Sequence, residues 1–185
     1  MQIKSGLTTA LVLATVLITS ACTATRTQRT AGETIDDSVL TGKVKVALIG
    51  NENTKAGQIN IETHRGIVQL SGFVATDAEK AAAGRVARSI EGVQEVRNDI
   101  EVRRSVASNT AGDEIDDAAL TASVKAALIG NETTKARDIN VETQMGVVQL
   151  SGFVDNNEQK AAATRVASSV SGVKEVRNDL QIKQN

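Results

Sequence analysis

The 185-residue chain contains no Trp, no Tyr and no Pro, and only one Cys, one His and two Phe. One Cys cannot close an intramolecular disulfide, and one Cys with one His cannot supply the ligands of a zinc site. Aromatic platforms for stacked bases are missing. Basic and acidic side chains number 21 and 22, leaving a formal charge of −1 and no electrostatic footprint for nucleic acid. No metal, cofactor or nucleic-acid partner is expected. With so few aromatics, any core must come from Val, Ile, Leu and Ala, and a small domain built that way buries little area.

The N-terminal segment reads as a targeting signal. Lys4 supplies positive charge, and residues 7–18 (LTTALVLATVLI) form an uncharged stretch. That stretch is shorter than the roughly 20 apolar residues a membrane span needs, and it fits the apolar region of a secretory signal. Thr19-Ser20-Ala21-Cys22 follows, small residues directly before the chain's one Cys. This resembles a bacterial lipobox, with Thr19 where Leu is usual, and marks Cys22 as the site of lipid attachment. Thr23, rather than Asp, after the Cys resembles the outer-membrane sorting pattern. The alternative is an ordinary signal peptide cleaved near Ala21, giving a soluble periplasmic protein. Residues 23–34 are polar, lack hydrophobic periodicity and read as a tether.

The remainder is one unit written twice. Shifted by 80 residues, 31–100 matches 111–180 at 45 of 70 positions without a gap. ALIGNE, VQLSGFV and EVRND recur in both copies. Two copies are too few for a solenoid, so they read as two small domains in tandem. The expected organisation is 1–21 signal peptide, 22–33 lipidated N-terminus and tether, 34–103 first domain, 104–112 polar linker and 113–185 second domain.

Each copy changes period in the same order. Leu40, Val44, Ala47 and Leu48 lie on one helical stripe, as do Leu120, Val124, Ala127 and Leu128. Ile59, Ile61 and Thr63 alternate, Arg65-Gly66 turns the chain, and Val68, Leu70 and Val74 face one side of a second strand. Thr76-Asp77-Ala78-Glu79 has the spacing of a capping box and opens an Ala-rich helix. A last strand puts Val96, Asn98, Ile100 and Val102 on one face and Glu95, Arg97, Asp99 and Glu101 on the other. The fold class is therefore α+β. Two αββαβ domains are expected, each a small three-stranded mixed sheet under two helices, with the second and third strands parallel through a right-handed crossover. The strand order stays open.

The run of Asp-Asp before a helix, ALIG, IxIET, GxVxLSGFV, an Ala-rich helix, GV and EVRND resembles the BON domain family across nearly all of both copies. Paired BON domains behind a lipobox resemble dual-domain lipoproteins of the Gram-negative outer membrane. Without the lipid they resemble osmotically inducible periplasmic members. The resemblance implies an αββαβ fold, a periplasmic setting, a role in envelope integrity or stress tolerance, and binding of phospholipid, preferentially anionic, rather than catalysis. It carries no catalytic residues.

The individual candidates are weighed on their own chemistry. His64 flanks the turn, and repeat 2 has Gln144 there; an exposed turn residue is expected. Adjacent carboxylates on a helix point about 100° apart, so Asp36-Asp37 and Asp116-Asp117 read as helix caps rather than a cation site. Ser71-Gly72 lacks a nucleophile elbow. Asn98 and Asn178 face inward and need hydrogen bonds. Phe73 and Phe153 lie opposite the core face by strict alternation, free to pack domain on domain or on a partner, unless a bulge at Gly72 turns them inward. Ile49 and Ile129 end the first helices just off the apolar stripe. Ile129, with Lys125 and Lys135, is the candidate contact with a lipid headgroup layer; the alternative is a core cap beside solvated lysines. Repeat 1 carries net −1 and repeat 2 net −3 (residues 31–104 and 111–185). Any lipid contact is therefore local, not polybasic. The competing reading is an adaptor that binds envelope proteins through sheet edges or the Phe patches.

Overall fold

A computed structural model describes residues 36–103, 111–134 and 136–184, with backbone alone for 111–115. The expected signal peptide, Cys22 and the tether lie outside the described residues, as does Lys135.

In repeat 1, α1 (Asp37–Ile49) leads through one 3₁₀ turn into β1 (Ile59–His64), β2 (Ile67–Val74), α2 (Asp77–Arg88), β3 (Glu95–Asn98) and β4 (Glu101–Val102). Repeat 2 runs α3 (Ala111–Ile129), β5 (Ile139–Gln144), β6 (Val147–Val154), α4 (Asn157–Ser168), β7 (Glu175–Asn178) and β8 (Gln181–Ile182). The first two residues of α3 thus fall inside the segment 104–112 read as linker; Ala111-Gly112 continues the helix instead of ending the connection.

The sheet order left open by the sequence is β1-β2-β3, with β2 in the centre. β1 pairs antiparallel to β2, with Ile61 opposite Leu70, and β3 pairs parallel to it, with Val68 opposite Val96. β4 resumes that parallel ladder, with Val102 opposite Val74. The last strand is therefore one strand broken at Asp99-Ile100, and Asp99 N–H still donates to Leu70 O at 2.8 Å across the break. Repeat 2 has the same pairing around β6.

Both helices of a repeat cover one face of its sheet. Leu40, Val44 and Leu48 meet Val68, Leu70, Val74 and Ile100, all 0 % exposed. Repeat 2 repeats the core with Val124, Leu128, Val148, Leu150 and Leu180. The capping box forms as the sequence predicts: Glu79 N donates to Thr76 Oγ1 and Thr76 N to Glu79 Oε2, each at 3.2 Å. Asn98 Nδ2 donates to Lys80 O at 2.8 Å and Asn178 Nδ2 to Lys160 O at 2.8 Å, pinning the last strand to the Ala-rich helix. Buried Thr134 closes the end of α3 by donating to Leu128 O at 2.5 Å, and Thr54 does the same for Leu48 O in α1.

The aspartate pairs divide their work. Asp36 caps α1 by accepting from Ser38 N at 2.9 Å, and that bond, with one from the Ser38 hydroxyl, lowers its pKa. Asp37 reaches instead to the hairpin turn, where it accepts from Arg65 N at 2.6 Å and Gly66 N at 2.9 Å. Asp117 holds Met145 N and Gly146 N at 2.5 and 2.9 Å. Both turn residues have positive φ, 52° and 77° in repeat 1 and 53° and 80° in repeat 2. The carboxylate thus holds a non-glycine residue in the left-handed region that two-residue hairpin turns demand.

Candidate functional site

The sheet faces away from the helices are not solvated. Gln69 and Ser71 in β2 and Gln149 and Ser151 in β6 are 1–2 % exposed. They bury each other, because the two sheets pack face to face. Ser71 Oγ and Ser151 Oγ share a hydrogen bond of 2.7 Å at the centre. Gln149 Oε1 accepts from Gly72 N at 2.9 Å, and Gln69 Oε1 accepts from Gly152 N at 2.8 Å. The amide nitrogens reach the broken strands: Gln69 Nε2 donates to Asp179 O at 2.7 Å and Gln149 Nε2 to Asp99 O at 2.6 Å. Each bond has a twin 80 residues along, so the seam has pseudo-twofold symmetry, like an isologous dimer interface on one chain.

Glycine is required at the crossing point. Gly72 has φ +114° and Gly152 φ +117°. A Cβ there would lie 2.2 Å from Gln58 O or 2.0 Å from Asp138 O. The sheets then approach with backbone amides exposed to the opposing glutamine. At the rim, Arg177 pairs with Glu101 at 2.8 Å, which raises the arginine's pKa through the negative charge beside it, and Arg97 Nη1 donates to Gln181 Oε1.

The symmetry breaks where the copies differ in sequence. Phe153 is 6 % exposed and its ring lies 5.3 Å from His64. His64 is therefore half-buried against the other repeat, not an exposed turn residue; the aromatic neighbour that covers it is 89 residues away and invisible to local pattern. On the other side Gln144 replaces the imidazole, and Phe73 lines an open cavity of about 450 Å³ with Arg103, Glu142 and Met145. Asn60 Nδ2 donates to Glu142 Oε1 at 2.9 Å, while its twin Asn140 Nδ2 is buried without a partner among the described residues. Burial on that side, and secondarily the charge of Asp138, raises the pKa of Glu62.

The candidates named from the sequence thus fall in two places. Both phenylalanines lie on the face away from the helices, as strict alternation predicts, and that face meets the other repeat, leaving little of Phe153 for an outside partner. Ile129 and Lys125 are elsewhere, on the outer surface at the end of α3; Ile129 is 75 % exposed. Its counterpart Ile49 is 66 % exposed, so neither caps a core. Sequence reasoning missed Gln69 and Gln149. The available signal was a polar pair kept at the same place in both copies of VQLSGFV. Among the described residues no helix is long and apolar enough to cross a membrane, and no group of acidic, His and Cys side chains is placed to hold a metal.

The chain is similar to several known proteins. The chain is 41 % identical over 152 residues to osmotically-inducible protein Y of Escherichia coli (strain K12), covering 82 % of this chain and 75 % of that one. It is 36 % identical over 149 residues to the outer membrane lipoprotein DolP of Haemophilus influenzae, covering 80 % and 75 %. Among solved structures, the C-terminal domain of CdsD, a structural protein of the type III secretion system of Chlamydia trachomatis, aligns with TM-score 0.32 at 15 % identity over 82 % of this chain and 68 % of that one. The BON domain model matches twice, at residues 36–104 and 116–184, and the chain belongs to the BON domain family.

Proposed function

We propose that this protein is a non-enzymatic, periplasm-facing lipoprotein of the outer membrane that binds anionic phospholipid and supports envelope integrity or tolerance of osmotic stress. The names of its relatives, one osmotically inducible and one an outer membrane lipoprotein, support the envelope setting. Acylation of Cys22 supplies the anchor, since several acyl chains hold a protein stably at about 0.8 kcal/mol per buried methylene. A non-catalytic role is supported by the use of the polar groups: the buried serine hydroxyls bond to each other, and the imidazole meets a phenyl ring.

The observation that carries the lipid contact is Ile129, 75 % exposed, with Lys125 one turn back on the same helix. Lys135 follows in sequence. An exposed apolar side chain with an ammonium group one turn away suits the level of the lipid headgroups. The chain from Thr23 onward, mixed with phosphatidylglycerol or phosphatidylcholine vesicles at two salt concentrations, tests the reading. Salt-sensitive binding to the anionic vesicles is expected, weakened by Ile129→Asp without a change in unfolding. No binding to either, with one envelope protein recovered by cross-linking, would support the adaptor reading instead.

A further inference from the structure

α1 is apolar on two opposite sides. At about 100° per residue, Leu40, Val44 and Leu48 centre on the side that enters the core. Val39, Gly42, Val46 and Ile49 fall within about 80° of one another on the opposite side. Val39, Val46 and Ile49 are 52, 70 and 66 % exposed, three of the five exposed large hydrophobics among the described residues. Lys43 and Lys45 lie about 40° outside either edge of this stripe, both exposed. Gly42 at its middle has nothing within 4 Å of where a Cβ would be.

The equivalent surface of α3 is Ala119, Ala122, Ala126 and Ile129, and Ser123 stands in place of Lys43. The first helix of repeat 1 therefore offers an apolar strip between two cations that is unpartnered among the described residues, and that of repeat 2 keeps one isoleucine and one lysine. This difference is not forced by the fold, since the core faces of the two helices are the same.

We infer that the outer face of α1, with Val39, Val46 and Ile49 inserted and Lys43 and Lys45 at headgroup level, is the principal membrane-docking surface, ahead of the end of α3. The occupant is an anionic bilayer surface. Two copies of the chain packed stripe to stripe would set Lys43 and Lys45 against their own counterparts, whereas anionic headgroups neutralise them. Chain length agrees: Asp36, the cap of α1, comes 14 residues after Cys22 in sequence, a reach of at most about 50 Å from an anchor. The inference rests on the phospholipid reading above and deepens it.

The test uses the full chain with Cys22→Ser, so that an introduced cysteine is the only thiol. Val46→Cys and Ile129→Cys, both at exposed positions, each carry a bimane label. Vesicles of phosphatidylglycerol or phosphatidylcholine hold brominated acyl chains that quench the dye on contact. Quenching at 46 several-fold above that at 129, in phosphatidylglycerol only, is expected. Lys43→Gln and Lys45→Gln are each expected to lower the affinity roughly fivefold. Quenching at 129 but not at 46 overturns the inference and leaves the phospholipid reading standing. Equal quenching in both lipids overturns the role of the lysines, and no quenching at either site in either lipid overturns both readings.

Discussion

Replacing Gln149 by Leu tests whether the seam is a structural joint or an incidental contact. The change keeps a similar volume but removes an acceptor from Gly72 N, a donor to Asp99 O and a donor to Asp179 Oδ2 at 2.9, 2.6 and 2.8 Å. Each buried group left unpaired costs about 1–3 kcal/mol. If the sheets stay together, the penalty for the three groups is roughly 3–9 kcal/mol. It has a ceiling, however. The repeats can part and let water reach Gly72 and Asp99, so the measured loss cannot exceed the free energy that holds the two sheets together.

That ceiling makes the glutamines non-additive. Gln69→Leu should cost about as much as Gln149→Leu, and the double variant clearly less than the sum, because the second change acts on repeats already apart. The chain has no Trp or Tyr, so urea unfolding is followed by far-ultraviolet circular dichroism, with amide exchange at Gly72 and Gly152 as the local reporter. The wild type should unfold in one transition, and the variants should show a broadened or split one with fast exchange at both glycines. A loss below about 0.5 kcal/mol, additive in the double variant and with unchanged protection at Gly72, would refute the joint.

Three further outcomes follow from the same geometry. Gly152→Ala forces a Cβ to 2.0 Å from Asp138 O at φ +117°, and combined strain and clash should cost about 3 kcal/mol by urea midpoint. Asp117→Ala leaves Met145 N and Gly146 N without their acceptor; roughly 2 kcal/mol is expected, with exchange at these two amides rising more than at the core strands. Glu62→Gln should stabilise the protein at neutral pH. The pKa of Glu62 is raised in the folded chain, so its ionised form weakens folding above that raised value, and the penalty fades as pH falls below the ordinary 4.5. The gain in urea midpoint should therefore be present at about pH 7 and absent near about pH 3.

The interior of each repeat was legible because its information is local. Leu40, Val44 and Leu48 declare a helical stripe within nine residues, and Val68, Leu70 and Val74 declare a strand face within seven. The strand order was not legible, since Val68 is as well placed to pair with either neighbour until the crossover is seen. Nor was the seam. Gln69 and Ser71 alternate with core residues, which is how a solvent-facing strand looks, and only the arrival of a second sheet bearing Gln149 and Ser151 makes them buried. The duplication supplied the missing hint. A face that must meet its own copy about a twofold axis needs self-complementary groups. Glutamine and serine each carry both donor and acceptor, so one set of residues written twice satisfies both sides. Where the copies drift, as at His64 and Gln144, the axis loses its symmetry: one side closes on Phe153 and the other stays open at Phe73. On the outer surface no such constraint acts, which is why α1 was free to keep Val39 and Val46 where α3 has alanines. The divergence between the two copies is thus concentrated on the side that faces outward, where a difference in binding role costs the fold nothing.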